Sequence, residues 1–185
     1  MFQIETVVAL VAVAQADDDA QPGVAEQMAG TLVDVAARAP EGARFGTHLC
    51  LGDFHHRAYG SMRDVRPLVL LANAVAAQWP AGRVLDFVHA PFAAATEPPI
   101  PEEAFYEPLS DLALPDGVRF IAGFLHESLD TAAHRNLLAR IERLTGREVD
   151  IAAACGLGRR DSDEEAFEQM RETAALLESP FASMA

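Results

Sequence analysis

Apolar positions along this chain follow two periods. Short runs with every second residue apolar read as strands; longer stretches with apolar residues three and four apart read as helices. Strands are expected at Phe2–Glu5, Arg44–Leu51, Arg83–His89, Val118–Leu125 and Val149–Ala154. Helices are expected at Val24–Arg38, Arg63–Trp79, Thr131–Thr145 and Asp163–Glu178, with a short one near Glu102–Leu112. Pro40-Glu41-Gly42 and Pro80-Ala81-Gly82 stop the first two helices, and a proline-rich loop runs from Pro91 to Pro101. Strands alternating with helices over such short connections imply parallel βαβ units in an α/β fold. Five strands suit an open doubly wound sheet, or a portion of a (β/α)8 barrel, which needs eight. Neither a repeat, a low-complexity tract nor a linker divides the sequence, so residues 1–185 read as a single domain.

Composition narrows the class. Half of the residues are apolar and 23% are charged, which is the balance of a globular domain. The formal charge is −14, and the chain contains no lysine. Such an acidic chain is a poor fit to nucleic acid or to an anionic membrane surface, which recruit clustered basic side chains. No run of about 18 apolar residues is present, so no transmembrane helix is expected. Val7–Ala14 is apolar enough to suggest the core of a signal peptide, but no basic residue precedes it and Glu5 stands where one belongs. A cytoplasmic location is the expectation.

The chemistry-bearing residues fall at one end of the expected strands. Glu5 ends the first, His48 and Cys50 the second, His89 the third, His126 the fourth and Cys155 the fifth. In parallel α/β folds the C-terminal strand ends share a face, and that face carries the site. His48 and Cys50 are two apart on a strand, so their side chains point the same way. Thiolate and imidazole together suit zinc, and His48, Cys50, His89 and Cys155 would complete a tetrahedral Cys2His2 set. A disulfide between the only two cysteines, Cys50 and Cys155, is the competing reading. His55 and His56 follow in a loop and read as surface residues, as does His134 on its helix.

Three segments resemble the C-terminal domain of cobalamin-independent methionine synthase. FQIET (Phe2–Thr6) is similar to the family's Gln-Ile-Asp strand, GTHLCLGDF (Gly46–Phe54) to its His-x-Cys strand, and IAAACGLGRR (Ile151–Arg160) to its last Cys-Gly-Leu strand. The resemblance implies the C-terminal portion of a (β/α)8 barrel, about five βα units long, with zinc held by His48, Cys50 and Cys155. The family's fourth ligand is a glutamate. Aligning strand with strand puts His89 in its place; aligning by residue count puts Ala72 or Asn73 there. The resemblance further implies methyl transfer to a thiol such as homocysteine, from a methyl-folate donor, in methionine biosynthesis. Glu5 would meet the substrate's amino group, Arg159 (or Arg160) its carboxylate, and His126 would serve as the acid. Three or so preceding βα units of the family barrel have no counterpart here. The open edge is therefore expected to be covered by a second copy or a partner. A non-catalytic zinc- and thiol-binding barrel remnant that has lost the folate site is the alternative.

Overall fold

In the computed structural model, residues 1–53, 57–160 and 162–178 are described, apart from the side chains of Thr6, Arg159 and Glu178. Five strands lie among the described residues: β1 (Phe2–Thr6), β2 (Arg44–Leu49), β3 (Val84–Pro91), β4 (Arg119–Leu125) and β5 (Asp150–Ala153). All neighbouring pairs are parallel, and the spatial order is the sequence order, β1-β2-β3-β4-β5. The order never reverses, so the sheet lacks the switch point of the doubly wound folds. Successive right-handed crossovers in one direction place the connecting helices on one face of the sheet.

The helices are α1 (Val7–Gln15), α2 (Gln21–Ala37), α3 (Arg66–Gln78), α4 (Thr131–Thr145) and α5 (Asp163–Glu178). Their ends follow from local chemistry. Pro22 and Pro67 open α2 and α3, where a missing N–H costs nothing. The Asp130 carboxylate caps α4 by accepting the Ala133 N–H at 2.8 Å. Gly146 closes it in a left-handed conformation, φ 65°. The expected short helix near Glu102–Leu112 is two 3-10 turns, Glu103–Phe105 and Glu107–Asp111. One element was not expected: Val7–Ala14 lies in α1, which follows β1 without a loop and buries Ala9, Leu10, Val11 and Val13. No helix among the described residues is long and apolar enough to cross a membrane.

The two sheet faces differ. On one, Leu49, Val88, Ala90, Phe120, Ala122 and Phe124 join Leu68, Leu71, Val75, Leu137 and Ile141 of α3 and α4 in the apolar core. The other face carries the polar rows. Register puts Glu5, His48 and His89 side by side across β1, β2 and β3, with Gln3, Gly46 and Phe87 in the row before them.

Candidate metal centre

Cys50 leaves the end of β2 and Cys155 lies two residues past β5. Two strands separate β2 from β5, so a flat sheet would hold their axes about 14 Å apart. The two Sγ atoms are nevertheless 3.9 Å apart, and both thiols are free. The sheet and the strand ends therefore curl toward the polar face.

His48 completes a cluster with the two cysteines. One ligand atom from each of the three lies within 4.8 Å of the others, and the group could hold a metal ion. Two features of the donor set fit that role. Two thiolates held 2.3 Å from one tetrahedral ion stand about 3.8 Å apart, close to the separation seen. His48 is 2% exposed, yet neither ring nitrogen makes a hydrogen bond of ordinary geometry, its ring acting instead on the Cys155 sulfur. Buried polar atoms are seldom left in that state unless a water or an ion satisfies them.

The electrostatics favour one thiolate already. The Cys50 thiol donates to Cys155, His48 and the Gly156 N–H add to that pull, and together they hold the Cys155 thiol well below its ordinary range against the cost of burial. Cys50 is pushed up by the same hydrogen bond and by burial. The Gly52 N–H meets the Cys50 sulfur at 3.3 Å, a contact that would stabilise it as a thiolate ligand.

His89 stands beside this cluster rather than in it. Its ring lies against that of His48, with centroids 4.4 Å apart. Its Nε2 lies 3.1 Å from the Ala153 carbonyl, and a neutral ring donates there. Burial, then the neighbouring His48, pushes its pKa down to about 4, so the imidazole is neutral at pH 7. Reaching β5 requires crossing β4 at Gly123. A Cβ there would fall 2.6 Å from His89 Nε2 and 3.0 Å from the Ala153 carbonyl oxygen. Glycine in a strand interior often marks such a close approach, and that is the sequence signal which points to Gly123. Gly123→Ala is expected to dislodge the His89 ring and lower stability by about 1–3 kcal/mol. Gly156→Ala, with nothing within 4 Å of the added methyl, is the matched control. Urea unfolding of both variants checks this; equal midpoints would refute it.

A cavity of about 540 Å³ opens beside the cluster. His48, His89 and Cys155 face it from the strand ends, with Gln3 and Glu5 from β1. The far wall is α5, through Met170, Ala174 and Leu177. Sequence reading missed this wall, because α5 reads as an ordinary surface helix. Arg160 sets its position: the guanidinium, 6% exposed, pairs with Glu127 at 3.2 Å and donates to Gln169 Oε1 at 2.6 Å.

His126 does not line the cavity. It is buried, and its Nε2 lies 3.2 Å from the Ala95 carbonyl while its Nδ1 accepts the Ser128 N–H at 3.2 Å. Those contacts tie the Pro91–Pro101 loop to the end of β4. His134, expected in solvent, is 3% exposed; its Nε2 accepts the His126 backbone N–H at 3.2 Å. It sits on the inner side of α4 beside the Phe124 ring. The Arg159 side chain and residues His55 and His56 lie outside the described residues. No protein-family model matches the chain, and no curated protein or solved structure shows significant similarity to it.

Proposed function

We propose that this chain is a zinc-dependent thiol-activating protein, a methyltransferase of the cobalamin-independent methionine synthase type built on part of a (β/α)8 barrel. One observation carries the reading: three soft ligands, His48, Cys50 and Cys155, cluster beside a cavity instead of being closed off by a fourth. Structural zinc sites are closed by four protein ligands, whereas catalytic ones keep a position for water or substrate. The barrel reading rests on the sequential all-parallel order, the polar inward face and the curl that joins β2 to β5. β1 and β5 each pair on one side only among the described residues, and a second copy or partner would pair there.

When bound, zinc would hold an incoming thiol as a thiolate at neutral pH and so supply the nucleophile. The chain's own residues do the rest. His48, Cys50 and Cys155 fix the ion at the strand ends. His89, neutral and anchored on Ala153, packs against His48 and holds its ring in place. The cavity positions the thiol and the methyl group that it attacks. A methyl-folate is the donor that the resemblance implies.

One observation favours a second reading, a binder without turnover. His126, the acid implied by the resemblance, is engaged with Ala95 and Ser128 away from the cavity. A folate amine leaves poorly without protonation. The test is a methyl-transfer assay on the zinc-loaded chain with methyl-tetrahydrofolate and a panel of thiols. Methyl thioether formation by the wild type, reduced at least about 100-fold in Cys155→Ala, is the outcome expected of a transferase. Zinc-dependent thiol binding with no thioether would leave the binder.

A further inference from the structure

We infer that the thiol taken by this cavity is apolar-tailed and carries no carboxylate. The inference rests on the metal-thiolate reading and names the substrate class for that site.

The walls dictate it. Leu125, Leu157, Met170, Ala174 and Leu177 line the cavity beside the metal cluster, with Gln169 and Thr173 as the polar residues of α5. Among the described lining residues there is no arginine, and the chain has no lysine. The nearby guanidinium of Arg160 is buried and spent on Glu127 and Gln169. Among the described lining residues the carboxylate is that of Glu5, which accepts from Gln3 Nε2 at 2.8 Å. A tail bearing a carboxylate would thus leave water for an apolar wall and sit beside the like charge of Glu5, and both terms oppose binding. An alkyl or aryl tail loses nothing and gains the burial of its apolar surface. Two thiolates and a neutral imidazole already cancel the charge of a zinc ion, so the ion adds no net attraction for a distant anionic group. The apolar side chains at the rim are themselves underburied: Met170 is 54% exposed and Leu177 61%. An apolar tail seated against α5 would cover them.

Hexanethiol and mercaptohexanoate make the test, since they differ by one terminal carboxylate; homocysteine is the third ligand. The full chain is loaded with cobalt(II), and each thiol is titrated against the sulfur-to-cobalt charge-transfer band. Hexanethiol is expected to bind at least about tenfold more tightly than mercaptohexanoate or homocysteine. Glu5→Gln is expected to narrow the gap about threefold, and Met170→Arg at the exposed rim to narrow it further. Equal or tighter binding of either carboxylate-bearing thiol overturns the inference. A second readout separates it from the metal reading. In metal-free protein, hexanethiol but not mercaptohexanoate is expected to displace a neutral apolar fluorophore such as Nile red. If cobalt fails to load, the metal reading falls, and the displacement series still decides what the cavity accepts. Displacement by both thiols alike, or by neither, refutes the apolar-tail assignment.

Discussion

Purified under reducing conditions, the wild-type chain is expected to hold about one zinc ion, and His48→Ala, Cys50→Ala and Cys155→Ala to retain less than about a tenth of it. Each variant removes one of three clustered ligands. The two that remain cannot hold zinc against dilution, because affinity rises steeply with each thiolate or imidazole added. His89→Ala separates two forms of the site. The His89 ring rests on His48 and its Nε2 on the Ala153 carbonyl. An outer-shell residue of that kind typically tunes affinity by about 10–100-fold, so His89→Ala is expected to fill at saturating zinc but to release the ion faster to a chelator. If His89→Ala empties as fully as Cys155→Ala, the ligand set is Cys2His2, and the ring must swing off Ala153 when the ion binds. A folded, reduced wild-type chain without zinc after reconstitution would end the metal reading. The two thiols would then stand as a redox pair 3.9 Å apart.

The strand ends were legible because their logic is local. A period of two puts His48 and Cys50 on one side, and parallel topology puts every C-terminal strand end at one edge. What sequence could not supply was distance across the sheet. Cys50 and Cys155 come from the ends of strands that do not pair, and their meeting depends on curvature, which leaves no periodic trace. His89 is a fourth-ligand candidate because it shares a strand end with His48. In this structure Gly123 lets its ring lie across β4, with Nε2 on the Ala153 carbonyl. His134 was misplaced for a different reason: a lone polar residue on a helix reads as solvated, yet here it faces Phe124 and accepts a backbone N–H. α1 escaped notice because Val7–Gln15 is apolar almost throughout, so it shows no amphipathic stripe. Its apolar residues Ala9, Leu10, Val11 and Val13 are buried where α1 packs against α2 and α3.

Gly46→Ala is expected to be the most damaging small substitution on the site face, costing about 2–4 kcal/mol and releasing zinc with it. The Phe87 ring lies flat over Gly46, and a Cβ there would stand 2.1 Å from its Cζ. Relief requires that ring to move. Phe87 is 7% exposed, and the Arg119 guanidinium sits over it, 5.9 Å from its centroid, so moving the ring disturbs buried packing and that contact. The two residues are register partners, and one step further along the same face the partners are His48 and His89. Phe87 thus occupies the row next to the histidine pair on the same face of the sheet. Displacing it is expected to tilt His48 away from the cysteines as well as to unpack the sheet. The coupling makes the prediction specific. Phe87→Leu alone should cost about 1 kcal/mol, since the site loses part of a ring but keeps its fill. In that background Gly46→Ala should cost much less than in the wild type, because the smaller, more flexible side chain can step aside. Urea denaturation of the four proteins in this cycle, with zinc content read in parallel, gives the coupling energy directly. Additive costs would mean that Phe87 does not rest on Gly46, and the support of the metal centre would have to be sought in another layer of the sheet.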